Sequence, residues 1–314
     1  MDDRAKEFRI LVGTIGYDLK GEEVINGIEF GNHGEQVMIS TVTGLETPPI
    51  RNNTGDWSGR DGGFMSSQLY SARVITINGF YWDKNYACDW DSIERNDFPY
   101  SVREKLANYI KIRQRYDLFI HFMSGRTYHT WGYMIDFRMD YEFVRNGEYQ
   151  ITFYCPDYAL NLAEIYGDPE SIWRRAELHK EIFGGHLVPE DLPVLFEEGQ
   201  HPTEIEYEGL IPCYPVINLK GPSTNPIFLN TATNKYLKMG TDEEPFVMQA
   251  GQNLTIDMNN RQVLLNGKSV SMSIDPNSDW WYLTQGKNKI YMLSSGNDDT
   301  PVAEIRWTES YQGV

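Results

Sequence analysis

The sequence predicts a mainly β protein in two domains, joined by a short, partly helical connector. Three observations predict it. Short runs of alternating apolar residues, separated by Gly, Asn and Asp turns, fill most of the 314 residues. Near 101–115 stands one convincing amphipathic helix. Between about 159 and 204 the texture changes, which divides the chain into a domain at 1–160, a connector at 161–204 and a domain at 205–314. This length suits two domains better than one, and a hydrophobic content of 40% is enough to build a core in each.

Phe8–Val12, Val24–Phe30 and Val37–Val42 read as the first strands. RNNTGDWSGRDGGF (51–64) then reads as a long polar, glycine-rich loop holding Trp57. It runs into a strand in which Ala72, Val74, Ile75, Ile77, Phe80 and Tyr81 stand among polar residues. Ser101 and Glu104 have the S-x-x-E spacing of a capping box, in which each side chain satisfies an orphan backbone donor of the first helical turn. Val102, Leu106, Tyr109 and Ile110 form the stripe of that helix. Strands resume at 118–123, Tyr128–Phe137 and, after an Asn146-Gly147 turn, Tyr149–Cys155.

In the connector, Asp168-Pro169 predicts a helix start and Gly184-Gly185 a stop, with SIWRRAELHKEIF as the helix between them. From Glu204 the pattern is wholly β. TEIEYEG, YPVINLKG, PIFLN, NKYLKM, NLTIDM, RQVLLNG, WWYLT, NKIYML and VAEIRW are short strands, with turns such as Asn259-Asn260 and Asn266-Gly267 between several of them. Regular short strands of this kind predict a sandwich or jelly roll of about 110 residues.

Composition narrows function. Lys+Arg 28 against Asp+Glu 45 gives a formal charge of −17, which disfavours tight nucleic-acid binding, since that needs cations to displace counterions. It suits a surface past which DNA slides. Cys88, Cys155 and Cys213 are too few and too far apart for a disulfide framework, so synthesis in a reducing cytosol is expected. No signal peptide or membrane-spanning run is read, and a soluble protein is expected.

Motifs of catalysis are absent. The sequence has no G-x-G-x-x-G, P-loop, G-x-S-x-G or H-E-x-x-H. His121 and His129 could approach across a hairpin as a metal pair, but no third ligand is indicated and plain barrel positions explain them better. Asp89 with Asp91, or Glu204, Glu206 and Glu208 on one strand face, could be read as glycosidase carboxylates. A turn and a solvated strand face account for them more simply. No catalytic residue, cofactor or metal is therefore expected. Trp280 and Trp281, adjacent on an expected strand, point to opposite faces, one into the core and one outward. An outward tryptophan on a sandwich could stack on a sugar, so both are candidate sugar or partner contacts.

The order of three stretches resembles the distal tail proteins (Dit) of siphophages. These are the loop ending in DGG (61–63) with YSARVITINGFYW (70–82); the capped helix with LFIHFMSGRTYHTWGYMIDFRMDYEFVRNGEYQITFYCPDYAL (118–160); and the tail of the chain, with YPVINLKGPSTNPIFLN, NLTIDMNNRQVLLNG, WWYLTQGKNKIYM and VAEIRWTESYQGV. The resemblance implies a tail-tube-like β-barrel with one packed helix that closes into a homo-hexameric ring, and a galectin-like β-sandwich outside it. It also implies a place in the virion, at the distal end of the tail, after synthesis in the bacterial cytoplasm. The implied partners are the tail-tube protein, the tail-associated hub protein (Tal) and, in some phages, a receptor-binding protein, with DNA passing through the ring and no membrane contact.

The clustered His, Asn, Arg and Trp by which galectins grip galactose are not found here, which favours protein docking over a lectin-like module. A closed ring needs one surface of each subunit to meet a different surface of the next. The loop at 51–64 is expected either to lie against an adjacent subunit or ring with Trp57 as anchor, or to be a mobile surface loop with Trp57 folded back on its own barrel. On the first reading Trp57, Arg60, Asp61, Phe64 and Arg73 are the candidate subunit-interface residues.

Overall fold

The structure, a computed structural model, describes residues 7–17, 23–31, 37–82, 102–140, 146–179, 202–295 and 301–314. It divides into two compact units, residues 1–172 with 311–314 and residues 173–310.

The first unit contains β1 (Arg9–Tyr17), β2 (Glu23–Gly31), β3 (Val37–Thr43), β4 (Ile50–Asp56), β5 (Gly63–Tyr70), β6 (Arg73–Trp82), α1 (Val102–Tyr109), β7 (Arg115–His121), β8 (Thr127–Met139), β9 (Asn146–Cys155) and β10 (Leu160–Ala163). Among the described residues, seven strands run β8-β7-β1-β2-β3-β6-β9, and β9 also pairs with β8. That second pairing closes the sheet into a barrel, which removes its free edges. Alternation supplies the interior: Ile10, Val12, Phe30, Ile75, Ile77, Leu118, Ile120, Ile151 and Phe153 make up one buried cluster.

Leu106 and Ile110 of the helical segment join that cluster. The helix is shorter than expected. The Tyr116 hydroxyl donates to the Tyr109 carbonyl at 3.0 Å and accepts from the Lys111 N–H at 2.6 Å. Arg113 then turns the chain with φ 62°, and β7 begins at Arg115. Ser101 of the expected capping box lies outside the described residues. Asn146 and Gly147, expected as a turn, instead pair with Trp82 and Tyr81 in the ladder.

The second unit contains β11 (Trp173–His179), β12 (Thr203–Tyr207), β13 (Val216–Lys220), β14 (Ser223–Thr224), β15 (Ile227–Asn230), β16 (Lys235–Lys238), β17 (Val247–Met248), β18 (Asn253–Asp257), β19 (Gln262–Leu265), β20 (Lys268–Ser269), β21 (Gly286–Leu293) and β22 (Val302–Thr308). The last strand, β23 (Ser310–Tyr311), joins the first unit's sheet beside β10. A six-stranded sheet, β11-β22-β13-β18-β19-β20, and a four-stranded one, β12-β21-β15-β16, supply the two sides of one core. Ile217, Leu254, Ile256 and Ile305 come from the first sheet, and Ile205, Phe228, Leu237, Ile290 and Met292 from the second. This is a β-sandwich. Asn266 and Gly267, at φ 48° and 79°, form the expected turn between β19 and β20.

Three expectations are corrected. SIWRRAELHKEIF is not a helix. Pro169–Ile172 form one 3-10 turn, and Trp173–His179 form β11, paired along its length with β22. The local capping was legible, since the Asp168 carboxylate accepts the Glu170 N–H at 2.9 Å. Pairing, which buries Leu178, overrides the helical propensity of Arg, Ala, Glu and Leu. The rest of the expected connector, 180–201, lies outside the described residues. WWYLT is not a ladder strand; only Leu283 in it makes a bridge, to Cys213. Finally, the loop at 51–64 is most of a β-hairpin.

Candidate subunit interface

The hairpin is β4 and β5, which pair with each other and, among the described residues, with nothing else. Its register runs from Ile50↔Tyr70 to Asp56↔Gly63, with a bulge after Asn53 that leaves Ser66 unpaired. The turn closes with the Trp57 N–H donating to the Gly62 carbonyl at 3.1 Å. Gly59 and Gly62 take φ of 78° and 96° within it. Almost every side chain of both strands is exposed.

Three of the predicted residues meet at the tip. Phe64 lies over Gly55, where an added Cβ would sit 2.8 Å from the ring. Trp57 tilts against Phe64 with centroids 5.1 Å apart, and the Arg60 guanidinium covers the other ring of the pair, 4.1 Å from the Trp57 centroid. Trp57 nonetheless remains 44% exposed. Asp61 is exposed in the same turn and joins no ring contact. A two-stranded ribbon is marginal alone in water, and this one carries Ile50, Trp57, Phe64, Met65 and Leu69 exposed.

Arg73 does not belong to this surface. It is 1% exposed, and its guanidinium is used up inside the first unit. It donates to the carbonyls of Gly44 at 2.5 Å, Glu46 at 2.8 Å, Tyr158 at 2.9 Å and Gln312 at 2.6 Å. Desolvation lowers its pKa from the usual arginine range. Its role is to tie the 44–46 turn, the 158 segment and the C-terminal segment to the barrel. Gly44 permits this close packing: with φ 90°, any Cβ there would stand 1.9 Å from the Val74 carbonyl oxygen.

Trp281 is likewise withdrawn from the candidate contacts. It is 0% exposed and donates its indole N–H to the Phe228 carbonyl at 3.1 Å, so it cannot stack on a sugar. Trp280 is half-buried against the same core. His121 and His129 lie on the same face of the β7–β8 pair but are held by different partners. His121 Nδ1 bonds Thr127 Oγ1 at 2.8 Å, and His129 Nε2 bonds the buried Asp117 carboxylate at 3.0 Å. Among the described residues no three potential metal ligands cluster. Glu204, Glu206 and Glu208 are exposed, with Glu204 beside Lys289 at 3.3 Å. Asp89 and Asp91 lie outside the described residues.

One apolar surface escaped the sequence reading. In register across β6, β9 and β8, Val74, Tyr154 and Tyr133 stand side by side on the outside of the barrel, all exposed. Ile135, at the β8 bulge, is exposed beside them. The available signal was Val74 next to Ile75, two apolar residues in succession where a strand with one wet face would alternate.

What the described residues bring together, then, is exposed apolar surface on β-structure. Residues 208–311 match the model of the siphovirus-type tail component, C-terminal domain. The whole fold is similar to that of the Dit protein of phage SPP1, with a TM-score of 0.56 and 14% identity over 96% of this chain and 98% of that one. A protein of the phage p2 baseplate is matched at a TM-score of 0.45 and 10% identity, over 98% and 99% of the two chains. No curated protein sequence matches. Residues 208–311 thus match a siphovirus-type tail component C-terminal domain, and the chain has a fold similar to that of the SPP1 Dit protein.

Proposed function

We propose that the chain forms a homo-hexameric ring at the distal end of the tail, joining the tail tube to the hub and the receptor-binding apparatus. The observation that carries this reading is the union, in one chain, of a tail-component C-terminal domain with a barrel that bears a bare hairpin. The similar SPP1 protein is described as a paradigm of the hub adsorption apparatus in phages that infect Gram-positive bacteria. In this reading the tail-tube protein sits above the ring and the Tal hub protein below it, with a receptor-binding protein as a further partner. DNA passes through the ring, and a formal charge of −17 per chain keeps phosphate from adhering to it. The protein works without catalysis or cofactor, in the virion. The hairpin, with Trp57 as its anchor, is the subunit contact.

Negative-stain electron microscopy of the concentrated protein, with light scattering, tests this. Six-fold rings at six times the 36.3 kDa chain mass are expected. A monomer that stays monomeric at high concentration and binds glycans would overturn the reading in favour of an attachment module.

A further inference from the structure

The ring reading leaves open what the hairpin meets, and the inference here rests on that reading. We infer that the hairpin tip of one copy, Phe64 with Trp57, docks on the Val74–Tyr154–Tyr133 row of the next copy's barrel. Both surfaces belong to the first unit, and both are exposed, so neither covers the other within a chain. They differ in kind: one is the exposed turn of a two-stranded ribbon, the other a row across three hydrogen-bonded strands. Two unlike, mutually fitting surfaces on one subunit make a head-to-tail contact, the type that closes into rings.

Charge argues for a second copy as the occupant. Copies carrying −17 each repel, so contact between them needs surface without net charge. Residues 51–70 hold Arg51 and Arg60 against Asp56 and Asp61, a net charge of zero. The row is also uncharged, and its neighbouring charges are paired: Asp136 with Arg138 at 2.9 Å along β8, and Arg115, across from Tyr133 on β7, with Asp117 at 3.5 Å. The chemistry matches as well. Arg60, already flat on Trp57, is placed to meet tyrosine rings, and aromatic side chains with arginine are the usual anchors of protein interfaces. The row spans two inter-strand spacings, about 10 Å, against the single spacing of about 5 Å between the strands of the tip, so it is wide enough to receive the tip.

The test places a photoreactive benzoyl-phenylalanine at position 64 of the full chain, in an equal mixture of light and 15N-labelled protein. Irradiated rings are digested and the cross-linked peptides identified. Expected are mixed-isotope links from residue 64 to peptides holding Tyr133–Ile135 or Tyr154. In parallel, Tyr154→Glu should lower the ring fraction at least tenfold while leaving the melting temperature of the monomer unchanged, since the side chain is exposed. Rings whose links fall on other peptides overturn this pairing and leave the ring reading standing. Rings with links within one isotope only likewise overturn the pairing alone, whereas monomers with no inter-copy links overturn both.

Discussion

Trp57 and Trp281 are the same side chain put to opposite uses. Trp281 sits between the two sheets of the sandwich, wholly enclosed, with its one polar atom bonded to the Phe228 carbonyl. Trp57 sits at the turn of a ribbon with no core side, in contact with Phe64 and Arg60 and still 44% exposed. The difference lies in the strands around them. Those of the sandwich have one face in the core, whereas β4 and β5 have none. A large aromatic on a strand with no core side contributes little to its own fold and is free to contribute to another molecule's.

The largest effect that would test this contrast is in the sandwich. Trp281→Ala removes the bulkiest fully buried side chain of the described residues and its hydrogen bond to the Phe228 carbonyl, so a loss of about 3–5 kcal/mol is expected. Cys213 and Cys155, both buried and in no disulfide, report on the sandwich and the barrel separately. In the folded barrel, burial pushes the Cys155 thiol up to about 12, so at pH 8 it holds almost no thiolate and resists alkylation until the barrel opens. With peptide-resolved alkylation in rising urea, Cys213 should label at lower urea in the variant while Cys155 keeps its wild-type midpoint. Equal shifts at both would show that the tryptophan matters to more than its own core.

Next is Arg73→Leu. It leaves the carbonyls of Gly44, Glu46, Tyr158 and Gln312 without their donor, at a cost of about 3 kcal/mol. Here the Cys155 midpoint should fall and that of Cys213 should hold, the reverse of the first variant. A change confined to ring assembly, with no loss of barrel stability, would return Arg73 to the interface.

Much of this was legible in the sequence, and the failures have physical causes. Most barrel and sandwich strands alternate because one face of each is buried, as in β13 and β22. The hairpin was hidden for the same reason. RNNTGD has no core face, so it has no alternation and reads as a loop, although the glycines and Trp57 marked it as unusual. β11 was hidden by its residues: WRRAELH follows a good cap and is rich in helix formers, and only its partner, Val302–Thr308, over a hundred positions away, makes it a strand. Arg73 had no local signal at all, since its contacts reach from Gly44 to Gln312. Of the predicted interface, Trp57, Arg60 and Phe64 come together, Asp61 shares their turn, and the surface proposed to receive them lay unnoticed in a core strand's outward residues.

The smallest effect on the fold is expected where the effect on assembly is largest. Trp57→Ala removes a side chain whose contacts are Phe64 and Arg60 at an exposed turn, so the stability of the single chain should change by no more than about 0.5 kcal/mol. Urea midpoints at both cysteines should therefore match wild type. If Trp57 anchors the subunit contact, rings should be lost at concentrations where wild type assembles, because truncating a central aromatic typically costs an interface 2 kcal/mol or more, and a ring repeats that loss at each of its contacts. Rings that persist in Trp57→Ala with wild-type midpoints would move the anchor elsewhere on the ribbon, to Phe64 or Leu69. A fall in barrel stability would instead mean that the ribbon braces its own chain, and the contrast with Trp281 would be one of degree.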